Sequence, residues 1–314
     1  MIRLSSKYFL PFSLFVFTCP ASGQSFDIIG GKVKRHANEA LALMAFTVVP
    51  DLTSSFLSIS QGGGENSDLL MTQFAGGATI SRETPLYLEG GLSYMRYDPQ
   101  FVASNGVETR DIPTKWNTLA ASGGIGWDFP IATDLVLRPM FNFSLGQVAS
   151  DLSAASRYLA WRTDHDLSFL DGGKMNAYGL GGSLMLDYEH VSPEREIDLE
   201  WRYTNIRLQT FGSTSEGVKG SSSAEATSAY ARYRAPTGLS ALSRPLRYVL
   251  EAAHTTYLGD QRGLLGFNHM TSLGGGFELD SSAHSVFVTR TRLVLRYAFG
   301  QNVRGTAVGL AMSF

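Results

Sequence analysis

Apolar and polar positions alternate along most of this chain. Near the end, Thr306, Val308, Leu310, Met312 and Phe314 fall on one face and Ala307, Gly309, Ala311 and Ser313 on the other. Successive side chains of a β-strand point to opposite faces, so this is an apolar row backed by a row of small residues. A half-buried strand of a soluble sheet would carry polar residues on its second face. Small residues there suit the inside of a closed barrel, and the apolar row suits lipid. About twelve segments of this period recur between turn signals, at 51–61, 69–81, 85–98, 115–130, 134–150, 174–191, 195–211, 224–236, 244–259, 267–281, 286–300 and 304–314. They have the length of tilted membrane strands or a little more.

The connections alternate between short and long. Short ones hold Arg82-Glu83-Thr84, Ile131-Ala132-Thr133 and Ser192-Pro193-Glu194, and long ones run near 99–114, 151–173 and 212–223. Outer-membrane barrels have short periplasmic turns and longer outside loops. A soluble sandwich has no reason to obey that alternation. The expected fold is therefore all-β, a transmembrane antiparallel up-and-down barrel of about twelve strands, with both termini periplasmic and an even strand count. Helical and strand patterns do not alternate as a soluble α/β enzyme requires.

The charged rows oppose the apolar ones. Leu293, Leu295, Tyr297 and Phe299 share a face opposite Arg290, Arg292 and Arg296, and Leu199, Trp201 and Tyr203 oppose Asp198, Glu200 and Arg202. Arg138, Asn142 and Ser144 likewise stand opposite Leu135, Leu137, Phe141 and Phe143. An Arg or Lys at the lipid midplane costs roughly 2–4 kcal/mol, so the charged rows are expected to face inward. The lumen would then be lined by Arg138 and Arg202, by a basic wall of Arg232, Arg234, Arg290, Arg292 and Arg296, and by scattered carboxylates at Glu89, Asp128, Asp187, Glu200, Glu251 and Glu278. Such a lining reads either as a selectivity field for a solute or as an ion-pair network filling a narrow lumen.

The beginning of the chain reads as a secretory signal over 1–23: basic Arg3 and Lys7, an apolar run from Phe9 to Phe17, and small residues at Ala21-Ser22-Gly23. Cleavage after Gly23 would remove Cys19, leaving neither disulfide nor thiolate chemistry. Residues 24–50 form a separate segment ahead of the barrel at 51–314. Lys32, Lys34, Arg35, His36 and Glu39 cluster there with Ala37, Ala40, Leu41, Leu43 and Met44, which predicts one short helix. That helix would either sit inside the barrel and block it or belong to a periplasmic leader.

Charge and candidate chemistry change the picture little. A net charge of −2 gives no polycationic signature, which argues against nucleic acid as a partner. There is no Cys/His metal spacing. Asp164-His165-Asp166 lies in the longest outside loop, where a carboxylate beside an imidazole could activate water. His254, beside Thr255 and Thr256, is expected to face lipid. Gly179-Leu180-Gly181-Gly182 is a glycine-softened strand and not a phosphate loop, since no helix follows. No catalytic residue, cofactor or metal ligand is assigned, and the expectation is that the chain is not an enzyme.

The run Val49-Pro50-Asp51-Leu52-Thr53-Ser54-Ser55, the Glu89-Gly90-Gly91 and Gly123-Gly124-Ile125-Gly126 strands and the ending Gly309-Leu310-Ala311-Met312-Ser313-Phe314 resemble the solitary outer-membrane autotransporter-type β-barrel family. The resemblance covers roughly residues 40–314. It implies a twelve-stranded barrel similar to an autotransporter translocator, with a helix in the pore, outer-membrane lipid and lipopolysaccharide around it, and a C-terminal aromatic strand read by the barrel-assembly machinery. Fewer than thirty residues separate the signal from the first strand, so no passenger to export is expected. Three functions are expected in consequence: a translocator-like barrel with a structural or interaction role through its outside loops, a small channel for polar solutes, or an outer-membrane hydrolase acting on lipid, lipopolysaccharide or peptide.

Overall fold

The computed structural model describes residues 41–42, 44–47, 56–61, 68–98, 100–104, 109–113, 116–150, 174–212, 220–263, 266–281, 289–301 and 303–313. Residues 41–42 and 44–47 are helical and are called α1. The strands are β1 (Phe56–Gln61), β2 (Asp68–Thr79), β3 (Leu86–Asp98), β4 (Gln100–Ser104), β5 (Thr109–Pro113), β6 (Trp116–Trp127), β7 (Phe129–Ala132), β8 (Leu135–Ser150), β9 (Lys174–Val191), β10 (Glu196–Thr210), β11 (Ser221–Ala241), β12 (Arg244–Gly259), β13 (His269–Asp280), β14 (Arg290–Gly300) and β15 (Val303–Ser313).

Twelve of these strands close a ring. Each pairs antiparallel with its sequence neighbours, β3 pairs with β6, β6 with β8, and β15 returns to β1. The up-and-down barrel expected from the alternation is thus the fold. Closure leaves no open edge at these pairings, which satisfies backbone groups that lipid cannot. The hairpin β4–β5 stands apart as its own two-stranded sheet within the β3–β6 connection, where a plain loop was expected.

Several boundaries depart from the sequence reading for local reasons. The strand expected at 115–130 is interrupted at Asp128, whose amide turns to the Pro85 carbonyl (2.8 Å). Ile131 and Ala132, read as part of a turn, continue in β7 against β8. Pro130 has no N–H to give to a ladder, which suits a short irregular extension. β11 runs from Ser221 to Ala241, longer than the expected 224–236. It passes Pro236 with a register shift and reaches β12 through Leu242-Ser243, both in the left-handed region (φ 52° and 61°), the conformation of the tightest hairpin turns. The alternation of loop lengths also has exceptions. β14 and β15 are joined by 301–302 at the end that carries the long loops, and β13 and β14 by 281–289 at the other.

Backbone pairing fixes the barrel's size. Leaving Ala307 through β14, the paired partners are Arg296, Gly274, Glu251, Arg232, Asp198 and, on β9, Glu189. Leaving it through β1, the same row reaches Met71, Met95, Thr118, Val148 and, on β9, Met175. The two routes meet β9 with a stagger of 14 residues, Met175 against Glu189. Twelve strands with that shear tilt by about 40°, giving a ring roughly 24 Å across at the backbone. Two facing layers of side chains then leave about the 10–12 Å that one helix occupies.

The outer wall is apolar. Phe74, Leu92, Phe141, Leu145, Leu295 and Leu310 are all more than half exposed, with Phe74 at 71 %. A band of this kind around the whole circumference is far larger than the apolar patch of a water-soluble monomer. Facing lipid, it is the outer surface of a membrane-spanning barrel.

Candidate functional site

The interior has two layers, and the pairing row just traced shows why. One half of the row carries Arg296, Glu251, Arg232, Asp198 and Glu189; the other carries Met71, Met95, Val148 and Met175. Because the strands tilt, the first set lies toward the end where β15 finishes and the second toward the end with the long loops. One layer is ionic and the other is apolar.

Helix α1 occupies the apolar layer. Leu41, Met44 and Ala45 are fully buried (0 % exposed) among Ala120, Val148, Met175, Ala177, Ile206 and Leu208, which come from β6, β8, β9 and β10. Phe46 reaches the other side of the ring, against Met71, Met95, Tyr257, Phe267 and Met270, with its ring centroid 4.7 Å from that of Tyr257. Contacts to strands all round the barrel place α1 in the lumen. The wall is trimmed to receive it: a Cβ at Gly146 would sit 2.4 Å from the Met44 methyl carbon. The helix is also tied by Ser93, whose hydroxyl donates to the Thr47 carbonyl (2.9 Å). Burying Leu41, Met44 and Phe46 contributes about 1.5–3 kcal/mol each before ordering costs.

The ionic layer is a belt of buried pairs. Arg202 of β10 forks onto Glu89 of β3, with Nη1 2.9 Å from Oε2 and Nη2 2.7 Å from Oε1, although these strands are not neighbours in the ring. The bond therefore crosses the lumen. Asn142 donates to the same carboxylate (2.9 Å) and accepts from Ser183, extending the link to β8 and β9. Arg138 joins Asp128 and Asp187 (2.9 Å to the latter) and lies 3.9 Å from the centroid of the Tyr87 ring. Arg232 pairs with Asp198, and Arg234 reaches Glu196 (2.8 Å), Asp198 (3.1 Å) and Glu278 (3.3 Å). Arg290 holds Glu196 (2.7 Å), Arg292 lies 3.5 Å from both Glu251 and Glu278, and Arg296 closes on Glu251 (2.8 Å). Glu200 shares the inner face of β10 between Asp198 and Arg202. Glycines make room here too, for Arg296 lies so close over Gly309 that a Cβ there would overlap its guanidinium.

The basic wall expected at Arg232, Arg234, Arg290, Arg292 and Arg296 is not formed. β12 and β13 stand between β11 and β14, and their Glu251 and Glu278 alternate with the arginines. Glu196 was missed although it anchors three arginines, Arg234, Arg247 and Arg290. It shares the two-residue period with Asp198, Glu200 and Arg202, so the same parity would have found it, and Arg247 with Glu251 in the same way. Tyr230, whose hydroxyl donates to Glu251 (2.9 Å), was missed because an aromatic in alternation reads as lipid-facing.

Elsewhere, little converges. His254 is exposed on the outer wall, with Nδ1 2.8 Å from the Thr271 hydroxyl oxygen. Asp164-His165-Asp166, residues 1–40 and Phe314 lie outside the described residues. Among the described residues no group of three or more His, Cys, Asp or Glu could hold a metal ion, and no helix is long and apolar enough to cross a membrane.

No family model matches the chain, and no curated protein matches it. Among solved structures, the chain is similar to the β domain of the Bordetella autotransporter BrkA, at 13% identity over 82% of this chain and 96% of that one, with a TM-score of 0.43. It is also similar to the transport unit of autotransporter AIDA-I from Escherichia coli (14% identity, 88% and 99% covered, TM-score 0.43). A third is the translocator domain of autotransporter NalP from Neisseria meningitidis (11% identity, 82% and 86% covered, TM-score 0.41). These likenesses are distant.

Proposed function

We propose that the chain is an integral outer-membrane β-barrel whose lumen is permanently plugged, and which acts as a structural or interaction element at the bacterial surface through its outside loops. The observation that carries this reading is α1 seated in the apolar half of the lumen, against strands on opposite sides of the ring, while the Glu89–Arg202 belt narrows the ionic half. A solute path needs charged groups open to water, and here the guanidinium of each arginine in the belt lies against a carboxylate. Residues 24–50 are then the plug segment and 51–314 the barrel, and Arg138, Arg202, Arg232, Arg234, Arg290, Arg292 and Arg296 with their carboxylates are the lumen's filling. The family resemblance supports the same reading, and implies outer-membrane lipid, lipopolysaccharide and the barrel-assembly machinery as its surroundings.

Two results are expected. The protein fractionates with the outer membrane, and boiled and unboiled samples migrate differently in detergent gels, because a closed barrel resists detergent until heated; recovery in the soluble periplasm would contradict the location. Leu41→Asp places a carboxylate without a partner among Val148, Met175 and Leu208, at a cost of several kcal/mol. The helix should leave the lumen while the barrel stays heat-modifiable, so reconstituted protein should admit small polar solutes that the wild type excludes. Exclusion by both proteins would mean that the belt alone seals the barrel.

A further inference from the structure

The apolar band of the outer wall is not equally tall all round. On β9 it runs from Tyr188 up to Tyr178, with Leu186, Leu184, Gly182 and Leu180 between them. On β12 it runs only from Tyr248 to His254, with Leu250 and Ala252 between. The strands beside β12 match it. Toward the loops, Tyr233 of β11 is followed by Ala231, Ala229 and then Thr227, and Phe277 of β13 by Gly275, Leu273 and then Thr271. On strands tilted by about 40°, the span from Tyr188 to Tyr178 rises about 25 Å, the full height of an outer-membrane band, and that from Tyr248 to His254 about 15 Å.

The lower edge of the band is level. Tyr188 pairs through Leu199 and Ala231 to Ala252, and each of these steps climbs a little over one residue because of the 14-residue stagger over twelve strands. The level of Tyr188 therefore falls at Tyr233 on β11 and close to Tyr248 on β12, whose rings lie 5.9 Å apart. A barrel leaning in the membrane would shift both edges together, so here only the loop-side edge is lowered. By the same count Glu225 stands level with Leu180, and Thr271 with Phe143. Leu180 and Phe143 are exposed apolar side chains of the taller wall.

The lowered edge is polar. Tyr203 donates to Glu225 (2.6 Å), and His254 lies 2.8 Å from the Thr271 hydroxyl oxygen and 3.4 Å from that of Thr256. A carboxylate is costly in hydrocarbon. These groups already bond to one another, so they call for a polar medium rather than for the matching groups of a partner. We propose that the barrel thins the membrane on this side, drawing the outer head groups and their water about 10 Å down the wall of β11, β12 and β13. A bilayer meets a short apolar stretch by thinning locally, and Leu250 and Leu273 below the polar edge hold what remains of its acyl layer. This inference rests on the barrel lying in a membrane and is independent of the plug, so a conducting barrel would leave it standing.

Fluorophore depth tests it, in a chain whose Cys19 is replaced by Ser, the sequence having no other cysteine. Thr271→Cys and Phe143→Cys carry an environment-sensitive label at one height on opposite sides of the ring, and Leu250→Cys carries it low on β12. The protein is reconstituted in phosphatidylcholine vesicles bearing nitroxides at graded acyl positions. The Phe143 label should be quenched from deep in the acyl chains, whereas the Thr271 label should lie about 10 Å shallower and be open to iodide. Thr227→Cys repeats the reading on β11, and heat-modifiable migration shows that each variant has folded. Equal depth at 143 and 271, or a 271 label shielded from nitroxides and iodide alike as beneath a docked protein, would overturn the proposal. Iodide reaching the Leu250 label as well would overturn the membrane location, and the proposal with it.

Discussion

Glu89→Gln should cost the barrel about 3–5 kcal/mol. The Glu89 carboxylate holds both arms of Arg202 and the amide of Asn142, and the two side chains of the ion pair are almost wholly shielded from solvent. Taking away one partner leaves a guanidinium buried with no counter-charge, and that is the expensive half of any buried pair. Replacing both, Glu89→Leu with Arg202→Met, should be far milder, because no isolated charge remains. Denaturant unfolding in detergent, followed by tryptophan fluorescence, measures both variants. A loss below about 1 kcal/mol for Glu89→Gln would mean that the pair behaves like a surface ion pair, so that water reaches this part of the lumen.

Leu293→Arg should cost about 2–4 kcal/mol if the site lies near the bilayer midplane. Leu293 is exposed on the outer wall, whereas its neighbour Arg292 points to Glu251 and Glu278. Arg292→Gln should cost less, about 1 kcal/mol, since Arg296 still neutralises Glu251 and Arg234 still reaches Glu278. Labelling gives the same contrast without energetics, in a chain with Cys19 removed. A cysteine at 293 should react with a lipid-soluble probe and one at 292 should not. The reverse pattern would invert the register of β14.

Much of this architecture is legible in the alternation alone, because a two-residue period assigns every side chain to one of two faces once a single face is known. Leu293 and Arg292 illustrate it, as do Val308 and Leu310, which are exposed, against Ala307, which is buried. Twelve strands and their approximate limits followed in the same way. What parity cannot give is which strands stand opposite each other across a closed ring. Arg232 and Arg290 look like parts of one basic surface along the chain, but two strands carrying Glu251 and Glu278 separate them in space. Glu89 and Arg202 share no local pattern, being 113 residues apart, and only closure brings them together. The interruption at Asp128 was hidden for a related reason, since a carboxylate aimed at Arg138 across the β6–β8 hairpin looks like any inward polar residue.

The two-layer division of the lumen was likewise out of reach of any one segment. Met71, Met95 and Met175 sit in strands that read as ordinary alternation, and their common purpose shows only when closure of the ring turns them onto opposite sides of α1. Composition could suggest that residues 24–50 hold a helix. It could not choose between a plug and a leader, because both need the same helix formers, and the plug proposed for this segment rests on the walls of Ala120, Gly146 and Ala177 around Leu41 and Met44.

Planar-bilayer conductance of the mature protein, compared with the same chain lacking residues 24–50, tests the plugged barrel most directly. The full-length protein should insert as a heat-modifiable barrel and pass no stable current, and removal of the segment should give steps of small, salt-dependent conductance as water enters the space vacated by α1. A stable open channel in the full-length protein would contradict the account.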